Sequence, residues 1–530
     1  MPDFLDLWSR RSFVVVAVLG IALLGFLGWL WWPVWLLLAG WVVLCLIGVR
    51  DMLQRQHSVL RNYPLLGHLR YLAESLRPEI RQYFVESDKE LTPFARHDRS
   101  LVYQRAKMAL ETVPFGTRFS VYEPGYEFVN HSLFPKHVPE SERRIDIGGP
   151  QCKQPYSASR LNVSAMSYGS LSAAAIRALN LGAKAGGFYH NTGEGGISPY
   201  HEQGGDLVWQ VGTGYFGCRA KDGGFDAKRF EDNVAKPTVK MIEIKLSQGA
   251  KPAHGGILPG AKVTEEIAAI RGVPVGQDVD SPPAHRAFQG ATGLVEFVAR
   301  LRELSGGKPV GFKLCVGNPV EFMAVCHAMR NTGILPDFIT VDGGEGGTGA
   351  APVEFSDSVG TPLDEGLTFV HGTLVGAGLR DRIRLISAGK IATGFHIVRH
   401  MALGADLCNA ARAMMFSLGC IQALKCNTNR CPVGVATQDP ALMAGLDVPS
   451  KAERVANFHQ RTLGAAMEMV GALGLDDPDD LRPYHISRRV DPMRVKTLAE
   501  LFPTPEPGAY LEGAGDEALQ RLWDLAAERV

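Results

Sequence analysis

The chain has no net charge: 55 lysines and arginines balance 55 aspartates and glutamates over 530 residues. That balance excludes the basic stripe with which a protein grips a nucleic-acid backbone. A secretory cleavage pattern is also missing, because the first apolar run is too long and lacks a small-residue cleavage site. The nine cysteines therefore read as thiols of a reducing compartment rather than as a disulfide framework. No G-x-G-x-x-G fingerprint opens a first βαβ unit, which argues against a dinucleotide-binding domain. The longest absence is of charge itself. Residues 12–49 contain none.

As helix those 38 residues would extend about 57 Å, nearly twice a hydrocarbon core of ~30 Å. Pro33 stands near the middle, among tryptophans suited to an interface, and permits a tight turn. Two spans follow, residues 13–31 and 34–49. Arg10 and Arg11 flank one end, and Arg50, Arg55 and Arg61 the other. Positive charge at both ends puts both on the cytoplasmic side. The expectation is a two-helix transmembrane hairpin over 1–50, with the catalytic domain in the cytoplasm. Residues 51–145 read as a mixed, mainly helical collar, with helical stretches at 78–86 and 100–111.

Glycine is abundant, 59 residues, and clusters in short loops where backbone could approach a cofactor. From about Arg160 the pattern is strand, glycine-rich loop, helix, repeated. Apolar strands are expected at 161–166, 238–244, 310–314, 338–341, 383–387 and 406–409, and helices at 319–330, 367–379 and 394–401. This alternation predicts an α/β fold with a closed (β/α)8 TIM barrel. In such barrels the chemistry gathers at the carboxyl ends of the strands. Residues 440–530 read as a helical extension, with helices at 452–473 and 515–529.

The unusual residues fall at those strand ends. SAMSYGSLS (164–172) offers Ser164, Ala165, Met166 and Ser167 to the edge of a flat ring, or is an ordinary capping loop. NTGEGG (191–196) carries Glu194. EIKLSQGAKPAHGGILPG (243–260) sets Lys245 and Lys251 beside Gln248, and two lysines in a glycine-rich loop suit a dicarboxylate or a flavin pyrimidine. Arg271 follows one helix later, then DVDSPPAH (278–285). Lys313 sits mid-strand, where burial without an anionic partner is costly, and a reduced flavin would be such a partner. VDGGEGGTGAAP (341–352), with Gly346, Gly347, Thr348 and Gly349, and SAGKIATG (387–394), with Ala388, Gly389 and Lys390, are phosphate-cradle candidates. Arg412 could complete the cradle.

Cys420, Cys426 and Cys431 fall within twelve residues as C-x5-C-x4-C. Thiolates this close point to metal or iron–sulfur ligation. Three sulfurs without a fourth Cys or His in the run suit a cuboidal cluster lacking one iron better than a closed zinc site. The alternative is three buried cysteines acting as small hydrophobes.

The cysteine segment, closing in CPVGVATQ, resembles the iron–sulfur segment of the glutamate synthase large subunit. The loops above, in the same order, resemble that family's FMN-binding synthase domain over roughly 160–439. RNYPLLGHLRYL (61–72) and SLVYQRAK (100–107) look like its membrane-linked relatives. The resemblance implies a barrel over 146–440 that carries FMN and a [3Fe–4S] cluster on the three cysteines. It implies that Lys245, Lys251 and Arg271, with Glu194 beside them, hold 2-oxoglutarate. Gln248, Lys313, Ser167 and the two glycine loops would hold FMN. The reaction implied is reductive amination of 2-oxoglutarate, with single electrons passed by the cluster.

Two departures bear on this. Where the family has GEGGQ this chain has AHGGI (253–257), so His254 replaces a glutamate and Ile257 a glutamine that contacts the oxo acid. The chain also opens MPDFLD, without a nucleophilic cysteine after the initiator or a preceding glutaminase domain. Ammonia, another amine or a separate amidotransferase would then supply nitrogen. Ferredoxin, a partner flavoprotein or the membrane pool would supply electrons. The alternatives are a related FMN barrel with different amine-transfer or IMP dehydrogenase-like chemistry, and a non-enzymatic electron-transfer subunit.

Overall fold

A computed structural model describes residues 9–87 and 93–530 of the chain. They form two compact units, Met1–Arg96 and His97–Val530.

In the first unit two apolar helices, Arg10–Leu30 and Val34–Leu53, are joined across Pro33. Glycines let them approach: a Cβ on Gly48 would stand 2.1 Å from the Phe13 ring, and one on Gly20 would be 2.4 Å from Trp41. Trp41 Nε1 also donates to Ala17 O at 3.3 Å. Both helices are long and apolar enough to cross a membrane, and their outward leucines and valines are exposed. A short helix, Ser58–Asn62, leads to a longer one, Gly67–Ile80, which ends in a π turn, Arg81–Val85. The helix expected at 78–86 is thus the end of one that starts at Gly67. Pro78, lacking an N–H, interrupts the i→i−4 ladder just before the widened turn.

The second unit is built on eight parallel strands that close into a barrel in sequence order. They are β1 (Leu161–Val163), β2 (His190–Asn191), β3 (Leu207–Val211), β4 (Val239–Lys245), β5 (Val310–Cys315), β6 (Phe338–Asp342), β7 (Arg384–Ala388) and β8 (Leu407–Ala410). The (β/α)8 expectation holds. β2, two residues long, and β3 were missing from the six expected strands. At the amino end an antiparallel hairpin, Arg144–Ile147 with Tyr156–Ser159, plugs the barrel. Its Ile145, Ile147 and Ala158 pack against Val208, Met241, Phe338, Ile386 and Leu407 of the strands. The hairpin closes the amino end of the barrel interior, so the interior opens at the carboxyl mouth.

Segments on either side of the barrel sequence belong to this unit. Glu127–Val129 pairs antiparallel with Ile486–Asp491, and Arg399 binds both Glu127 (2.6 Å) and Asp364. The unit boundary therefore lies at Arg96, and residues 97–145 do not form one collar with 51–96. The helix expected at 452–473 runs Val448–Ala472 and lies on Ala173–Gly186, where a Cβ on Gly182 would meet Val455 at 2.7 Å. The last helix is Glu517–Ala527, and its Trp523 ring lies 3.8 Å from His327. Between the two, Ile486–Asp491 and Arg494–Thr497 form strands where a helical extension with an irregular connection was expected.

Candidate active site at the barrel mouth

Alternate residues of a strand face the same side, so Glu243 points into the barrel together with Lys245 at the end of β4. Glu243 is fully buried and accepts from Asn191 Nδ2 (2.8 Å), Gln210 Nε2 (2.7 Å) and Thr340 Oγ1 (2.6 Å). These donors, from β2, β3 and β6, make a closed polar floor. Above it Lys245 Nζ donates to Glu194 Oε1 at 2.6 Å, with both side chains largely buried. The 253–257 loop crosses Glu194 so closely that a Cβ on Gly256 would stand 2.4 Å from Glu194 Oε1. Only glycine permits that approach.

Lys251 and Arg271 join this pair. Lys251 is 2% exposed and donates to Ala350 O at 2.9 Å. Arg271 is 4% exposed, donates from Nη2 to Tyr168 O at 2.9 Å, and lies over the Phe216 ring at 5.1 Å. Its Nε is buried without a hydrogen-bond partner. Burial lowers Lys251 to about 8 and Arg271 to about 10, with Glu194 opposing both shifts. Burial alone would raise Glu194, but Lys245, Lys251 and Arg271 together hold it below the usual carboxylate range. One buried carboxylate thus faces three cations, with Asp280 acting more weakly on Lys251, and an unsatisfied guanidinium N–H remains. The pocket is electrostatically incomplete without another anion.

Lys313 corrects one expectation. Its anionic partner is Asp342, Nζ to Oδ2 at 3.0 Å, and no flavin is needed to justify its burial. Burial would lower it, but Asp342 and Glu243 outweigh that and hold it above the ordinary lysine value. Asp342 Oδ2 also accepts from Gly249 N at 3.0 Å, next to Gln248, whose Nε2 donates to Thr348 Oγ1 at 3.0 Å. The 245–251 and 343–349 loops are thereby locked together. A Cβ on Gly249 would stand 2.1 Å from Gly343 O.

The structure brings the two cradle candidates side by side after β6 and β7, with Gly343 N donating to Ala388 O at 3.4 Å. Among the described residues, the N–H groups of Gly347, Thr348, Gly349, Gly389 and Lys390 have no backbone partner. Lys390 turns in the left-handed region, at φ +49°. Free N–H groups in such turns suit a phosphate. Arg412 reaches this loop: a Cβ on Gly347 would lie 2.9 Å from its Nη2. Ser164 extends β1 by donating from its N–H to Ala410 O (3.0 Å), and Ser167 Oγ donates to Ser170 Oγ (3.3 Å). Ala165 and Met166 complete that turn, close to the 191–196 loop, since a Cβ on Gly193 would stand 2.6 Å from Ser167 N.

Cys420, Cys426 and Cys431 line one cavity, with Arg412 on its wall. Burial raises Cys420 to about 11 and lifts Cys426 above the ordinary thiol value. Among the described residues no group of three or more His, Cys, Asp or Glu closes round a single metal ion. Lys262, a residue the sequence reading passed over, donates to Ser170 O and Ala436 O, both at 3.0 Å. It ties the 164–172 loop to the cysteine segment. A second unanticipated network supports Lys245. Tyr215 Oη accepts from Arg286 N and Ala287 N (3.0 Å each) and donates to His285 Nδ1 (3.0 Å). His285 Nε2 then donates to Lys245 O at 2.9 Å. Burial lowers His285 to about 4, so the ring is neutral and this tautomer follows from its partners.

A family model described as the conserved region in glutamate synthase matches residues 137–476, the barrel with both of its flanks. The glutamate synthase large subunit-like protein YerD of Bacillus subtilis (strain 168) is 38% identical over 503 residues, covering 87% of this chain and 95% of that protein. The chain belongs to the glutamate synthase family. As a glutamate synthase-like protein it is an oxidoreductase. Archaeal glutamate synthase (NADPH) of Methanocaldococcus jannaschii is 34% identical over 362 residues, covering 67% of this chain and 66% of that one. The glutamate synthase (NADPH) large chain of Bacillus subtilis is 32% identical over 329 residues, covering 61% of this chain and 20% of that one. Among solved structures, a mandelate oxidase variant with a monooxide FMN adduct aligns at 14% identity with a TM-score of 0.40. That alignment covers 81% of this chain and 99% of the oxidase.

Proposed function

We propose that this glutamate synthase-like chain is a membrane-anchored, FMN-dependent oxidoreductase that reductively aminates 2-oxoglutarate, or a similar 2-oxo acid, to the amino acid. The observation that carries the reading is the buried cluster of Lys245, Lys251 and Arg271 around a single carboxylate, with Arg271 Nε unsatisfied. A dicarboxylate supplies the missing anionic groups. Ammonia or another amine, free or passed from a separate amidotransferase, condenses with the oxo acid to an imine and releases water. Bound FMN, when reduced, supplies the hydride that converts the imine carbon to the amine. Lys251 and Arg271 hold the substrate carboxylates, and the Glu194–Lys245 pair presents a proton-accepting oxygen beside a proton-donating ammonium.

FMN fits the rest of the mouth. Gln248, Lys313 and the turn 164–167 offer polar groups to a ring. The free N–H groups at 347–349 and 389–390, with Arg412, suit its phosphate. The thiols of Cys420, Cys426 and Cys431 suit a [3Fe–4S] cluster. They line one cavity, and three thiolates suit three corners of a cuboidal cluster that lacks one iron. Helices Arg10–Leu30 and Val34–Leu53 would be the anchor, with the barrel in the cytoplasm. Electrons would come from ferredoxin or a partner flavoprotein.

A second reading, another amine-transfer reaction in the same barrel, is favoured by Ile257. It follows Gly256, which lies against Glu194, and its side chain offers no hydrogen-bond donor to a substrate. The test is a steady-state assay of chemically reduced protein with 2-oxoglutarate and ammonium, scored for glutamate. Glutamate formation supports the first reading. Turnover only with other 2-oxo acids or amines supports the second, and no turnover with any pair refutes both.

A further inference from the structure

The helix Gly67–Ile80 and its terminal turn Arg81–Val85 carry an apolar face that no described residue covers. At 100° per residue Leu69, Leu72, Leu76 and Ile80 fall on one narrow stripe, and Tyr83 and Phe84 follow within the π turn. All six are between 47% and 85% exposed. A stripe of that kind is unfavourable in water and marks a contact surface.

Its place relative to the apolar hairpin says what the contact is. Asp51 lies in the last turn of Val34–Leu53 and is 3% exposed. Its carboxylate binds the far end of the following connection and the first turn of the next helix. Oδ2 accepts from Leu65 N at 3.1 Å, and the two oxygens lie 2.9 and 3.0 Å from His68 Nε2. Gly67 packs so closely on Leu60 that a Cβ would meet it at 2.9 Å. The first turn of Gly67–Ile80 is thus pinned to the polar end of the second apolar helix. That end is where the chain would leave the hydrocarbon, among Arg50, Arg55 and Arg61. Fourteen residues make a helix of about 21 Å, too short and too polar to span. Arg70, Arg77 and Arg81 border the stripe on one side, so their stems can lie along apolar surface while their heads stay in water.

We propose that Gly67–Val85 lies in the plane of the bilayer surface, its Leu69–Leu72–Leu76–Ile80 stripe seated at the headgroup–acyl boundary. This inference rests on the reading of the hairpin as membrane-spanning. The three arginines are matched by Glu74, Glu79 and Glu86, so the seating comes from apolar area and does not need anionic lipid.

The test uses the full chain reconstituted into phosphatidylcholine vesicles, with and without phosphatidylglycerol. A fluorescent non-canonical side chain is placed singly at Leu72, Leu76, Glu74 or Leu23, the last within the first apolar helix. Lipids spin-labelled either just below the headgroup or near the chain end act as quenchers. Shallow-labelled lipid should quench the probes at Leu72 and Leu76 about twofold or more over the probe at Glu74, equally in both lipid mixtures. Equal, water-like signals at all three positions, with Leu23 quenched by deep-labelled lipid, would overturn the surface helix and leave the spans standing. Dry but unquenched probes at Leu72 and Leu76 would also overturn it, because protein would then cover the stripe. If Leu23 escapes deep-labelled lipid while Leu72 and Leu76 are quenched, the surface helix stands and the spanning reading fails.

Discussion

Replacing Glu194 by Gln tests the electrostatics of the mouth with almost no change of shape. The carboxylate pairs with Lys245 at 2.6 Å, with side-chain exposures of 15% and 9%, and Lys251 and Arg271 also act on it. Losing one partner of a buried ion pair costs about 3–5 kcal/mol, because the remaining charges stay uncompensated. At about 2.1 cal/mol/K per residue, a unit of about 430 residues has an unfolding entropy near 0.9 kcal/mol/K, so the midpoint should fall by about 3–5 °C. The same change should favour a dicarboxylate. A ligand carboxylate on the same cations would lie on the order of 5 Å from Glu194, a repulsion of about 3 kcal/mol at an effective dielectric of 20. Binding of 2-oxoglutarate should then tighten about tenfold or more, worth about 1.4 kcal/mol. Turnover should nevertheless fall, since the proton-accepting carboxylate beside Lys245 is gone. The assay is thermal unfolding over a 2-oxoglutarate titration, where protection grows as RT ln(1 + [L]/Kd). The pH dependence has a definite sign. The folded value of Glu194 is depressed, so its stabilisation is complete above about 4.3 and is lost as pH falls through the folded value. The gap between wild type and Glu194→Gln should close on acidification below about 4.3. An equally stable variant whose ligand protection is unchanged would refute the reasoning.

Three further outcomes are expected. Lys251, lowered to about 8 by burial, should make dicarboxylate affinity fall as pH rises through 8, whereas Lys251→Arg should flatten the profile in a titration from pH 7 to 10. For stability the sign reverses, since raising pH from about 8 to about 10.4 discharges the folded lysine before the unfolded one and relieves a burial cost. His190 is fully buried with both ring nitrogens unpartnered, and burial lowers it to about 3. Its contribution to stability, complete above about 6.5, should be lost on acidification by about 2 kcal/mol at pH 5, and denaturant midpoints of His190→Leu should lack that part of the acid slope. Cys426→Ser should abolish iron, acid-labile sulfide and the low-temperature EPR signal while FMN stays bound, whereas Cys408→Ser, remote in β8, should leave the cluster signal intact.

How much of this was legible in the sequence depends on distance along the chain. The barrel could be read because strand and helix periods are local; the apolar run Leu207–Val211 was legible on the same ground, whereas the other strand missed was not. His190–Asn191 is two residues long and has no pattern of its own; its neighbours in the closed sheet make it a strand. The positions of Lys245, Lys251 and Arg271 were legible because charge in a glycine-rich strand end is unusual wherever it occurs. What each one touches was not. Lys313 looked like a lysine waiting for a ligand, yet Asp342, a full strand later, answers it across the β5–β6 pair, where Cys315 and Asp342 are in register. Glu243 could have been found, since it stands two residues before Lys245 and must share its face. Lys262 and Tyr215 could not, because their roles arise only when loops far apart in sequence converge. The same rule applies to the substrate. Ile257 departs from the family pattern in one residue, but its consequence is set by the two glycines before it, Gly255 packed on the Ser281 backbone and Gly256 on Glu194. Under the proposed reading, a donor lost there removes one hydrogen bond of specificity and leaves the cationic pocket intact, so a change of oxo acid is more readily accommodated than a loss of oxo-acid binding.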